Sequence, residues 1–179
     1  MSSKDEILKR ALIHLGIKPK NNQSADDNNS QINEFYDDVV FSAIKELKCK
    51  FAIRTVALSS LQILSDMKLS DNIVGLYILP SDFLAMRNAN GVIYKGKYFQ
   101  HQPERFTYDQ AIISYYAKID ASYFNAEFAD YIALKLAFVA ANIFDKTDSF
   151  MLQLEKKILN AFYLFKNREN YLIIRKSYL

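Results

Sequence analysis

One cysteine, two histidines, three prolines, four glycines and no tryptophan set the first limits on this chain. The lone Cys49 excludes an internal disulfide, and a buried or inert thiol is its expected state. His14, beside the apolar stripe of a first helix, and His101, in a polar stretch, have no metal-ligand spacing with Cys49 or with each other, so no metal or cofactor is expected. No Gly-rich phosphate loop, nucleophile elbow or EF-hand spacing occurs, and the expectation is that the chain is not an enzyme. Asp26-Asp27 and Asp37-Asp38 are adjacent pairs, and neighbours on a helix point about 100° apart, too far to share a proton. They are expected to be helix-start charges on a solvated face. A formal net charge of +3 falls short of the balance of a dedicated nucleic-acid binder. Internal repeats and low-complexity runs are also missing. Residues 1 to 16 carry a charged amphipathic pattern in place of a signal-peptide apolar core, so a reducing cytosol, or something assembled there, is the expected setting.

What is present is apolar mass. Half of the 179 residues are hydrophobic, enough for one good core, and a single domain spanning 1–179 is expected. Its centre is Phe128 to Phe144, whose strongly polar side chains are only Asp130, Lys135 and Asn142. Those interruptions argue against a membrane span and for a core helix buried nearly all round.

Other helices are legible from their period. Ser3-Lys4-Asp5-Glu6 forms a capping box ahead of Ile7, Leu8, Ala11, Leu12 and Leu15, and Gly16 suits the left-handed stop. Lys18 to Asn29 is polar and predicted to be a solvated loop. A long second helix is predicted over Ser30 to Lys48, from Ile32, Phe35, Tyr36, Val39, Val40, Ala43, Ile44 and Leu47. After the core helix, Thr147 or Asp148 caps a fourth, with Met151, Leu154, Ile158, Ala161, Phe162 and Phe165 inward, ending near Asn167.

Between the helical pairs the period falls to two. Phe51 to Ser60, Ile73 to Leu79 and Ala111 to Ile119 are predicted strands, and Val92-Ile93-Tyr94 and Lys97-Tyr98-Phe99 flank a hairpin turn at Lys95-Gly96. Ser81-Asp82 suits a turn or the cap of a short helical turn holding Phe83, Leu84 and Met86. The fold class expected is α+β, mostly α. It is a four-helix core (about 3–48 and 125–168) with a small antiparallel β-region (about 51–120) inserted between helices two and three, and an extended C-terminal arm (169–179).

That arm is apolar where a free terminus would be polar. Tyr171, Leu172, Ile173, Ile174, Tyr178 and Leu179 are the candidate binding residues for a partner protein. The alternative is a small cytosolic nucleic-acid-binding module whose basic C-terminal segment, with Arg168, Arg175 and Lys176, neutralises phosphates.

Taken in order, several segments resemble the tail tubular protein A family, the head-to-tail adaptors of short-tailed bacteriophages. They are Ile7-Leu8 with Leu15-Gly16-Ile17 and Pro19, the long second helix, and Leu79-Pro80-Ser81-Asp82-Phe83-Leu84. Val92-Ile93-Tyr94-Lys95-Gly96-Lys97-Tyr98 and the aromatic helix start Phe128 to Ala133 follow. Lys48-Cys49-Lys50-Phe51 and Tyr123 to Ala126 depart from the family's usual pattern. The resemblance implies a ring, commonly twelvefold, of copies seated on the portal protein, with a distal, nozzle-type tail protein on the other side. Genomic DNA would pass through the lumen without sequence-specific contact, and the terminal arm would engage the portal or a neighbouring subunit. It further implies a virion protein of the neck and tail, assembled in the host cytoplasm, with no membrane partner.

Overall fold

The computed structural model is α+β and mostly helical, and describes residues 2–17, 24–59, 75–88, 91–94, 98–101 and 110–176. The chain divides into two compact units, one drawn from both ends (Met1–Lys48 and Asp120–Leu179) and one from the middle (Cys49–Ile119).

In the helical unit, α1 (Lys4–His14) starts in the expected capping box. Ser3 Oγ accepts from the Glu6 amide at 3.2 Å, and a Glu6 carboxylate oxygen accepts from the Ser3 amide at 3.1 Å. It ends in a Schellman turn, where Ile17 N–H donates to Leu12 O and Gly16 N–H to Ile13 O. Gly16 takes φ +74°, which a side chain would oppose even though nothing crowds its Cα. Ile7, Leu8, Ala11, Leu12 and Leu15 are all buried.

The second helix differs from expectation. It is two helices, α2 (Ser24–Asn33) and α3 (Tyr36–Leu47), divided at Glu34-Phe35, where Phe35 N–H turns back to Ile32 O at 3.1 Å. Asn28, Asn29 and Asn33 are weak helix formers that favour such an interruption. Ser24 to Asn29, expected to be loop, is helical, and Asp27 near the N-terminus complements its dipole. Asp37 and Asp38 do the same in the first turn of α3 and are exposed. The remainder of the predicted loop, residues 18–23, lies outside the described residues.

The core helix is α4 (Ala126–Ala140), capped by Asn125, whose side-chain oxygen accepts from the Phe128 amide at 2.8 Å. Phe128, Ala129, Tyr131 to Leu134, Leu136 and Ala137 are buried, so its first three turns are enclosed except along the side that carries Glu127, Asp130 and Lys135. Its end is not: Phe138 is half-buried and Val139 exposed. Helices α1, α2 and α3 pack against α4, as does the last helix, α5 (Asp148–Lys176). Between α4 and α5 the chain turns through Ala141 to Asp145, with Asp145 left-handed at φ +49°.

The fourth predicted helix is therefore α5, and it does not stop near Asn167. Residues 169–176, expected to be an extended arm, continue the helix as far as Lys176. From Asp148 onward the sequence contains neither glycine nor proline, so nothing in the chain halts the hydrogen-bond ladder.

The middle unit carries two antiparallel three-stranded sheets in place of the single one expected. Strands β1 (Ile53–Ser59), β3 (Phe83–Asn88) and β6 (Gln110–Ala117) form one, in the order β1-β6-β3. Strands β2 (Gly75–Ile78), β4 (Gly91–Tyr94) and β5 (Tyr98–His101) form the other, in the order β2-β5-β4. Tyr94 pairs with Tyr98, as the predicted hairpin requires, and its turn at Lys95-Gly96 lies outside the described residues. Pro80 ends β2, and Ser81-Asp82 form a turn, the first of the two expected alternatives; it leads into β3, so Phe83, Leu84 and Met86 lie on a strand and not in a short helical turn. Leu58, Tyr77, Phe99, Ile113 and Tyr115 come from strands of both sheets and share one core.

Candidate interaction surface

Helix α5 is tied inward at few points. Thr147 Oγ1 caps it by accepting from the Phe150 amide at 3.3 Å. Leu154 and Phe165 are buried, and the Phe165 ring stands 5.9 Å from that of Phe128 on α4. Phe162 lies 6.5 Å from Tyr131. The Lys166 ammonium donates to the Leu47 carbonyl at 2.5 Å, satisfying one of the orphan acceptors at the end of α3. Arg168 pairs with Glu127 in the first turn of α4.

The opposite side of the same helix is also apolar. Leu152, Leu159 and Tyr163 are 57%, 55% and 61% exposed, and they recur after about two and three turns, so they form one stripe. Leu164 is exposed too, about 100° round the helix from Tyr163. Lys156 and Glu155 flank the stripe on its two sides, both exposed. The helix thus carries apolar residues on two opposite sides, and its own unit covers one of them.

Of the sequence-predicted binding residues, Tyr171, Leu172, Ile173 and Ile174 fall in the last turns of α5. Their side chains lie outside the described residues, as do Tyr178 and Leu179 altogether. Arg175 and Lys176 close the same helix, while Arg168 is engaged by Glu127. Leu152, Leu159 and Tyr163 were not among the expected residues. Their signal was in the sequence as a second set of apolar positions, seven and four residues apart on the side away from Leu154 and Phe165.

The polar groups elsewhere hold structure together. His14 Nε2 stands 3.4 Å from Asp130 Oδ1, joining α1 to α4; that hydrogen bond outweighs partial burial and lowers the Asp130 pKa. Lys135 reaches Glu46 at 2.5 Å, joining α4 to α3. Tyr36 is buried with its hydroxyl unpartnered among the described residues, and burial, with Asp120 and Asp37 nearby, pushes its pKa up to about 12. In the middle unit Asp82 accepts from the Tyr115 hydroxyl at 2.9 Å and pairs with Arg54 at 2.9 Å, linking the turn before β3 to β6 and β1. Burial and the Asp82 hydrogen bond together raise Tyr115 to about 12. Cys49 is buried, as expected.

Among the described residues no group of three His, Cys, Asp or Glu side chains converges as a metal site. No helix among them is long and apolar enough to cross a membrane. Comparisons with protein-family models and with curated proteins find no match.

Proposed function

We propose that this chain is a structural, ring-forming head-to-tail adaptor of a short-tailed bacteriophage, which binds and does no chemistry. Copies form a ring between the portal protein and a distal, nozzle-type tail protein, and genomic DNA passes through the lumen. On this proposal the protein resides in the neck of the virion and is assembled in the host cytoplasm. The finer fold scheme belongs to it as well: a four-helix core, with α2 and α3 together standing for the second helix, and the β-region as an insertion turned toward the distal tail.

The observation that carries this reading is α5, a helix of 29 residues with exposed Leu152, Leu159 and Tyr163 on one side and packed Leu154 and Phe165 on the other. Apolar side chains displayed in a row on an ordered helix favour a protein partner over a solvent-facing role. The order of the segments that resemble the adaptor family supports the same conclusion. Leu172, Ile173 and Ile174 at the end of α5 are assigned to the portal, where burial of each contributes roughly 1.5 to 3 kcal/mol before ordering costs. A ring multiplies such contacts.

The test is to mix the purified chain with the portal protein encoded by the same genome and image the product by negative-stain electron microscopy. Rings seated on the portal are expected. No docking, together with salt-dependent binding to duplex DNA by the monomer, would replace the adaptor with the nucleic-acid-binding module that uses Arg168, Arg175 and Lys176.

A further inference from the structure

The outer stripe of α5 is flanked by charges of opposite sign. About the line through Leu152, Leu159 and Tyr163, Glu155 stands roughly 60° to one side and Lys156 roughly 40° to the other. Both are exposed and make no salt bridge among the described residues. Exposed Asp148 lies on the Glu155 side, and the uncharged Ser149 and Asn160 lie on the Lys156 side. Lys157 points about 140° away from the stripe, and Lys166, on the Glu155 side, is spent on the Leu47 carbonyl.

Such a surface complements itself in one orientation. Two identical helices laid face to face and parallel, related by a two-fold axis that runs along them, bring the acidic flank of each against the basic flank of the other. Residues of the same number then lie at the same height, so Glu155 of each copy comes beside Lys156 of the other, offset by about 1.5 Å along the axis. Leu152, Leu159 and Tyr163 each meet their own counterpart, and Asp148 meets Ser149. An antiparallel pair sets the acidic flanks together on one side and the basic flanks together on the other, and pairs neither.

We propose that the outer stripe of α5 pairs in parallel with the same stripe of a second copy. Leu152, Leu159 and Tyr163 pack across the two-fold axis, and reciprocal ion pairs between Glu155 and Lys156 close both sides. Three half-exposed apolar side chains per copy cover well under the roughly 800 Å² per partner of a stable interface, so the pair is weak and forms at high concentration. A two-fold contact closes on itself and admits no third copy, so it stands apart from the adaptor ring, which needs another contact.

Sedimentation equilibrium of the full-length protein up to millimolar concentration is expected to show monomer and dimer in exchange. E155K and K156E each put like charges together on both sides and should weaken the dimer about tenfold, the scale of two reversed exposed ion pairs. The E155K/K156E double variant exchanges the flanks and should recover the parent's affinity, as should an equimolar mixture of the two single variants. Direction is read with L152C and Y163C under mild oxidation. Each should form disulfides with copies of its own kind, and a mixture should give none between an L152C copy and a Y163C copy. All four positions are exposed, so circular dichroism of every variant should match the parent. A chain that stays monomeric at millimolar concentration, a dimer indifferent to E155K and K156E, no recovery in the double variant, or disulfides between L152C and Y163C copies would each overturn the parallel pair. Docking on the portal is scored separately, so the adaptor reading stands or falls on its own test.

Discussion

The Lys166 ammonium donates to the carbonyl oxygen of Leu47 at 2.5 Å, so the second half of α5 is fastened to the last turn of α3. Lys166 also lies 5.9 Å from the centre of the Phe162 ring. Replacing it with Met keeps most of the aliphatic stem and removes the charged donor. The expected loss is about 1.5 kcal/mol, the low end for a hydrogen bond to a charged group, because the side chain is only half-buried. Urea unfolding should show a lower midpoint at unchanged slope. An unchanged midpoint would mean that water serves the Leu47 carbonyl equally well.

Core aromatics on α4 should differ in cost. Phe128 is fully buried between Phe124 and Phe165, and Phe128→Ala is expected to cost about 3 to 5 kcal/mol and abolish folding or nearly so. Phe138 is half-buried near the open end of the helix, and Phe138→Ala should cost about half as much. Helical content and solubility measure both. Equal losses at the two positions would show that the last turn of α4 is covered in solution.

Alkali should loosen the middle unit through Tyr115. Its pKa is held at about 12 in the folded protein against 10.0 in its absence, so above pH 10 the unfolded chain releases the proton first. The stabilisation is complete below pH 10 and is lost as pH rises toward 12. Tyr115→Phe should reduce stability at neutral pH, by removing the bond to Asp82, and should make the fall between those values shallower. Stability curves at several alkaline pH values check this, and parallel curves for the two proteins would contradict it.

Acid acts on the helical unit through Asp130, whose pKa is lowered by the His14 hydrogen bond. A lowered carboxylate contributes stability above its unfolded value of about 4 and loses it as pH falls through the folded value. Asp130 is about half exposed, so the contribution is under about 1 kcal/mol. Asp130→Asn should flatten the acid limb of the stability profile by that amount. A variant with an acid limb as steep as the parent would place the acid sensitivity elsewhere.

Ending the chain after Asn170 should leave the melting temperature of the free subunit unchanged, because the described ties of α5 to α3 and α4 lie at or before Arg168. Docking on the portal should be lost with Tyr171 to Leu179. A truncated protein that unfolds, or that still docks, would remove the portal-binding role from this segment.

Helix α1 was legible to within about a residue at each end. Its capping box, its buried stripe and Gly16 are local instructions, and the Schellman hydrogen bonds depend only on residues within two turns. The strand periods around Ile53 and Ile113 were legible for the same reason, since alternation along one segment reports its own two faces. The break at Glu34-Phe35 was not, because Ile32, Tyr36 and Val39 keep helical spacing across it and outweigh the weak helix propensity of the asparagines before it. The strand at Phe83 was obscured likewise: Asp82 resembles a helix cap, yet its carboxylate is taken by Tyr115 and Arg54 from strands far away in sequence.

The amino-acid order by itself determined the helical and strand periods, the capped ends, the apolar centre at Phe128 to Ala137 and the scarcity of catalytic side chains, because each is a property of composition or of near neighbours. Tertiary structure alone decided which strands pair, since β1 finds β6 across more than fifty residues and Pro80 separates β2 from β3 into different sheets. It also decided what covers α5. The inward stripe with Leu154, Phe162 and Phe165 was legible from its spacing, but its partners on α4 were not. Contact with Phe128 and Tyr131 buries the side that carries Leu154 and Phe165, and this leaves Leu152, Leu159 and Tyr163 facing outward.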